Sequence, residues 1–256
     1  MFEALEIEKD GPIGRLTLNS PEKLNSLSRQ RLSDLISAAR WFDQQPEIKV
    51  VIVAGQGRAF SAGADLSGFG GDSGMSLRDG ADLGRRMADA LEEMKAISIA
   101  AIQGWCVGGA LVLAAACDLR IATSSARFSI PEIDLGIPLA WGGIPRLVRE
   151  IGPALTKELV MTCRPFDAAE AKAVGFLNRI VEPENLMKEV EVLAQEIAKR
   201  PTNPVQVTKR HVNAVTAQMV GIMRSWSDAD GLLASYGDPE SEAARQAYLK
   251  ARGHKG

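Results

Sequence analysis

Two short glycine-rich stretches have the residue types to do chemistry: Arg58-Ala59-Phe60-Ser61-Ala62-Gly63-Ala64-Asp65-Leu66 and Gly104-Trp105-Cys106-Val107-Gly108-Gly109-Ala110. Each sits where a buried strand should hand over to the next element. Small residues at such turns let a ligand approach the backbone closely, with N–H groups free to meet it. Two N–H groups from two separate turns can converge on one oxygen and hold it as it becomes negative. That arrangement is an oxyanion hole, and its chemistry is carbonyl activation.

The elements that must position these turns alternate between strands and helices. Strands are expected over 3–9 and 14–19, joined around Asp10-Gly11-Pro12, and a β-branched strand over 50–54. A helix capped by Ser28 runs to about Gln45, with Leu32, Leu35, Ile36 and Ala39 on its apolar face. The segment 67–80, rich in Gly, Ser and Asp, is expected to be a mobile loop, and a helix follows from about Asp82 to Ala96. That loop misses the GxGxxG spacing because Ser73 stands at the last glycine position. The uncharged run Ala96–Cys117 is long enough to imitate a membrane span, but its three glycines and missing basic flanks read as strand, tight turn and buried helix. Strands near 119–123 and 127–130 come next, then helices from about Ile144 and from Phe166 to Gly175, and a short strand at Ile180-Val181. From Glu184 the pattern is helical, broken at Pro201–Pro204. The whole reads as an α/β fold with a largely parallel core and a helical appendage. The division falls at a core over 1–195 and a helical region over 196–256.

Composition narrows the function. The chain has 256 residues and a formal net charge of −2, so nothing points to nucleic acid. Cys106, Cys117 and Cys163 lie far apart, an odd count without CxxC spacing. That argues against a disulfide framework or zinc site and for a reducing, cytoplasmic compartment. The N-terminus lacks the basic segment and apolar run of a signal peptide.

The motifs resemble those of the crotonase, or enoyl-CoA hydratase/isomerase, family along nearly the whole chain. Pro21-Glu22-Lys23-Leu24-Asn25-Ser26-Leu27 is similar to its "P-x-x-x-N-x-L" loop, and 59–66 to its "AFxAGADL" segment. The second glycine turn, followed by Cys117-Asp118, is also matched. Phe128 to Gly136 resembles "F-x-x-P-E-x-x-L-G", Gly142-Gly143 with Arg146-Leu147 resembles "GG-x-x-R-L", and 167–181 resembles "A-x-x-A-x-x-x-G-L-V". The resemblance implies a spiral of ββα units, a C-terminal helical trimerisation region, and homotrimers or hexamers built as dimers of trimers. It also implies an acyl-CoA thioester as ligand, with no metal and no cofactor beyond the coenzyme A that the substrate carries. The N–H groups of Ala64 and Gly109 would form the oxyanion hole. Lys23, Leu24, Ala62, Asp65, Leu66 and Gly108 would contact the substrate and its coenzyme A, with Trp141 against the acyl pocket.

Hydratases of this family use two glutamates. Here the second is Glu132, but the first position holds Val112, which cannot carry a proton. A third acidic position used by some relatives falls at about Ala140. One glutamate suffices to move a double bond: it takes the α-proton of a 3-enoyl-CoA and returns it at the γ-carbon, giving the 2-enoyl-CoA. The alternatives are hydration or other enolate chemistry, with Asp134 as a rival acid, and a non-catalytic acyl-CoA-binding protein. Asp134 would share Glu132's face if that segment is extended. Asp65 could equally cap a turn, Lys23 could be a solvated lysine, Trp141 could be core, and Trp226 and Tyr236 could pack the tail. No G-x-S-x-G exists to pair with His211 or His254, which disfavours a hydrolytic triad.

Overall fold

The computed structural model describes residues 5–66, 75–221, 225 and 227–253. Strands β1 (Leu5–Asp10) and β2 (Ile13–Leu18) form the expected antiparallel hairpin. After it the chain turns parallel. β3 (Val50–Gly55), β4 (Ile97–Ile102), β6 (Leu119–Thr123) and β9 (Arg179–Val181) extend the sheet in the order β1-β2-β3-β4-β6-β9. A second sheet collects the short strands β5 (Trp105–Val107), β7 (Arg127–Ser129) and β8 (Phe166–Asp167). The two turns that open with β4 and β6 each give a strand to the large sheet, then one to the small sheet, then a helix. This is the spiral of ββα units.

Period-two alternation decides what each face of the large sheet buries. Val51, Val53, Ala100, Ile102 and Ala122 point toward α1 (Arg29–Asp43), α2 (Leu77–Glu93) and α3 (Gly109–Ala116). Val50, Ile52, Ile99, Ala101 and Ile121 point the other way, onto Leu186, Val190, Ala194 and Ala198 of α7 (Leu186–Ala198). Helix α7 therefore continues through residue 195 and stays on the sheet to its end. Both faces are covered, which is why β3 and, apart from Ser98, β4 are apolar runs.

Between them stand α4 (Gly143–Ile151), α5 (Pro153–Thr162) and α6 (Ala168–Ala173). The C-terminal helices are α8 (Thr202–Met219), α9 (Asp228–Tyr236) and α10 (Pro239–Ala251). The break expected at Pro201–Pro204 separates α7 from α8, and Pro204 falls in the first turn of α8, where its missing N–H costs nothing. No helix of the described residues is long and apolar enough to cross a membrane. The run Ala96–Cys117 folds as β4, β5 and α3.

Three expectations need correcting. The loop expected over 67–80 ends earlier, because α2 begins at Leu77 rather than Asp82. Ser76 caps it: the Asp79 N–H donates to Ser76 Oγ at 3.0 Å, and Ser76 Oγ donates to Asp79 at 2.7 Å. Residues 67–74, like Trp226 and His254, lie outside the described residues. Phe166 does not open a helix. It pairs with Phe128 in the small sheet, and Asp167 is the cap, accepting from the Glu170 N–H at 2.9 Å. Finally, residues 131–136 are not extended but turned, with the Leu135 N–H donating to the carbonyls of Pro131 and Glu132. Asp134 is exposed, while Glu132 faces inward.

Candidate active site

The first glycine-rich stretch is held between two neighbours. On one side, the Leu27 N–H donates to the Gly63 carbonyl at 2.7 Å and the Asp65 N–H donates to the Leu27 carbonyl at 3.2 Å. On the other, the Ser61 N–H donates to the Trp105 carbonyl and the Val107 N–H to the Ser61 carbonyl. In a parallel bridge the flanking residues do the bonding, so the N–H of Ala64 points away from Leu27. Among the described residues it donates to no protein acceptor. The same holds for the N–H of Gly109, the first residue of α3, where an α-helix always leaves its leading donors free. Gly63 lets the two turns meet: at φ +84° it has no Cβ, and one placed there would strike the Val107 carbonyl and crowd the Gly109 nitrogen at 3.4 Å.

Asn25 fastens the loops behind this pair. It is fully buried at φ 55°, and its amide Nδ2 donates to the carbonyls of Gln56 (2.9 Å) and Ala59 (3.0 Å), while Oδ1 accepts the Ser20 N–H. Ser61 Oγ donates to the Asn25 carbonyl at 2.8 Å and accepts the Gly63 N–H at 3.1 Å. The residues expected to bind coenzyme A gather along these loops. Lys23 is exposed, Leu24 accepts the Ala62 N–H through its carbonyl at 2.8 Å, and half-buried Asp65 and Leu66 follow Ala64 directly.

Ala64 and Gly109 border one small cavity together with Val112, Glu132, Ile137, Pro138, Leu139, Ala140, Trp141 and Leu232. Glu132 is the only one of these with a titratable side chain. Its residue is half-buried, but Oε2 is shut away from solvent and has no hydrogen-bond partner. Removal from water disfavours the carboxylate and pushes the pKa up to about 7. The carboxyl lies over Gly108, whose missing side chain makes room for it at φ +52°. The Gly108 N–H is meanwhile tied to the Ser129 carbonyl at 2.9 Å, joining the second turn to β7 and so to the segment that carries Glu132.

Several expected residues thus come together: Ala64, Gly109, Glu132, Gly108 and Trp141 share the cavity or its wall, with Val112 and Ala140. Asp134 and His211 do not reach it; both are exposed. Sequence reading missed Leu232, which α9 brings in from the C-terminal region, and the anchoring role of Asn25, already visible as the asparagine of the "P-x-x-x-N-x-L" loop. It also missed the role of Arg146, seen only as the arginine of "GG-x-x-R-L". That guanidinium is fully buried and pairs with Glu92 at 2.7 Å and Asp89 at 2.9 Å, clamping α4, with the cavity wall before it, onto α2.

A pair of free main-chain donors beside one near-neutral carboxyl in an apolar cavity can hold an oxyanion and move a proton next to it. Known proteins resemble this chain along nearly its whole length. The family model described as "Enoyl-CoA hydratase/isomerase" matches residues 8–254. The chain is 32% identical to the crotonyl-CoA hydratase of Syntrophomonas wolfei over 253 residues, 98% of this chain and 96% of that protein. A probable enoyl-CoA hydratase of Rhizobium meliloti is 37% identical over 217 residues, 83% of this chain and 82% of the relative. Among solved structures, an enoyl-CoA hydratase/isomerase from Xanthobacter autotrophicus superposes with a TM-score of 0.86 at 29% identity, covering 98% of this chain and 96% of the other.

Proposed function

The chain belongs to the enoyl-CoA hydratase/isomerase family, and from that premise we propose that it moves a carbon–carbon double bond, converting a 3-enoyl-CoA to the 2-enoyl-CoA. The observation that supports this is Glu132 as the one acid–base group bordering the cavity among the described residues, with Val112 where a second glutamate would be needed to handle water. The N–H groups of Ala64 and Gly109 donate to the thioester oxygen. Glu132 removes the α-proton, and the electron pair passes into a dienolate whose negative oxygen those donors stabilise. The protonated Glu132 then returns the proton to the γ-carbon, and the double bond ends between carbons 2 and 3. A pKa near 7 suits both halves, since acid and base forms are each accessible at neutral pH. Loss of one oxyanion donor costs about 100- to 1000-fold in such sites.

In this reading Lys23, Leu24, Ala62, Asp65, Leu66 and Gly108 contact the coenzyme A portion and its thioester end, largely through main-chain atoms. No cofactor beyond that coenzyme A takes part. The helical region beyond residue 195 mediates a homotrimer or a dimer of trimers, to be measured by sedimentation.

Hydration of a 2-enoyl-CoA is the second reading, and the names of the Syntrophomonas and Rhizobium relatives favour it. One assay separates the two: rates of conjugated-thioester formation from a short 3-enoyl-CoA and of water addition to the matching 2-enoyl-CoA. Isomerisation is expected to be faster by about 100-fold or more, the value of a missing acid–base group. Faster hydration would replace the first reading with the second, and tight thioester binding without either reaction would leave only a binding role.

A further inference from the structure

One wall of the cavity is made by the Trp141 side chain, whose placement the fold secures from several sides. The indole of Trp141 lies against two glycines from different helices, Gly84 of α2 and Gly109 of α3. A Cβ at either position would fall within the ring. Trp141 itself sits at φ 61°, a left-handed conformation unusual for a bulky residue. That conformation is held from both sides. The Gly142 N–H donates to Asp228 Oδ2 at 2.8 Å, and buried Arg146 donates to the carbonyls of Trp141 (3.4 Å) and Gly142 (3.2 Å). Arg146 is in turn fixed by Asp89 and Glu92. An indole seated in this way is a rigid stop rather than a side chain that swings aside.

Leu135, Ile137, Ala140 and Leu232 form one apolar cluster against which the ring packs. The cavity left between the ring, Glu132 and Val112 measures about 40 Å³. That is room for only a few methylene-sized groups beside the Ala64–Gly109 donors.

We propose that Trp141 is the chain-length stop of the pocket, restricting the enzyme to short-chain acyl-CoA thioesters. The inference rests on the acyl-CoA reading above, so its test measures binding of unreactive thioesters rather than turnover. Saturated butyryl-CoA and decanoyl-CoA would be titrated calorimetrically into the wild-type protein, Trp141→Gly and Trp141→Phe. Glycine suits the left-handed backbone and removes the ring, while phenylalanine keeps a ring in place. Six extra methylenes are worth far more than tenfold in affinity where they can be buried. The wild-type protein should therefore bind butyryl-CoA at least about tenfold more tightly than decanoyl-CoA, and Trp141→Gly should strengthen decanoyl-CoA by at least about tenfold. Trp141→Phe should keep the wild-type order. Decanoyl-CoA binding the wild-type protein as well as butyryl-CoA, or an unchanged ratio in Trp141→Gly, overturns the stop while leaving the acyl-CoA reading intact. Failure of either thioester to bind any of the three proteins overturns both.

Discussion

Two buried polar regions lie within a few residues of each other in this molecule and are built on opposite terms. At the α2–α4 contact, Arg146 is fully buried, yet its guanidinium donates to Glu92, Asp89 and two carbonyls, and Arg149 adds a second partner for Glu92 at 2.7 Å. In the cavity next to it, Glu132 has a carboxyl oxygen with no partner, and two main-chain N–H groups donate to no protein acceptor among the described residues. An unmet buried polar group typically costs about 1–3 kcal/mol, more for a charged one. The first region spends its charges on holding helices together. The second leaves its groups open, which is sensible only if something else comes to meet them.

The contrast can be broken most forcefully at Glu132. Glu132→Gln should lower α-proton exchange in an acyl-CoA by about 100- to 10,000-fold, read by deuterium incorporation, while the thermal midpoint holds or rises. A variant that exchanges at the wild-type rate would remove Glu132 from the chemistry. Arg146→Met should do the reverse. It leaves Glu92 with Arg149 and Asp89 with Arg85 but removes the buried cation between them, and should destabilise the fold by about 1–3 kcal/mol, lowering Tm by roughly 5 °C. Were Tm unchanged, the satisfied network would carry no stability.

Gly108→Ala brings the two regions into one measurement. Its methyl group would occupy the space of the Glu132 carboxyl, and φ +52° disfavours any side chain. A displacement of about 1 Å costs on the order of 100-fold in rate. The loss should appear in kcat, and an unaffected kcat would show that the carboxyl need not rest on that turn.

The mildest test is pH. The kcat/KM for a base-first reaction should fall about tenfold per unit below the pKa of about 7 and level off above it. Stability should run the other way. Glu132 has a folded pKa above its unfolded value of 4.5, so the folded chain keeps a proton that the unfolded chain has released between about pH 4.5 and 7. Stability from this group is therefore present below pH 4.5 and lost as pH rises through 7. Glu132→Gln should flatten both profiles, and a pH-rate profile that is flat in the wild-type protein would contradict the assignment.

Much of this site was legible before any coordinates. The two small-residue turns announce themselves, since few sequences place so many residues without bulk directly after buried strands, and Glu132 follows from the motif around it. The large sheet and the N-cap of α1 follow from β-branched runs and from Ser28, whose Oγ accepts the Arg31 N–H at 3.2 Å. What stayed hidden depends on contacts between distant residues. Trp141 is defined by Gly84 and Gly109, and no periodicity links those positions. Leu232 enters the cavity from a helix whose own pattern says only that it packs somewhere. The early start of α2 was masked by composition: glycine, serine and aspartate suggest a loop, yet Ser76 and Asp79 three residues apart also make a cap.

Leu232 carries a consequence for the order in which the protein becomes competent. The main-chain donors and the carboxyl all lie within the first 132 residues, but one side of their chamber arrives only with α9. A nascent chain still threaded in the ribosome can have every reactive group in place and still lack a closed compartment. Synthesis must pass α9 before that wall of the cavity exists.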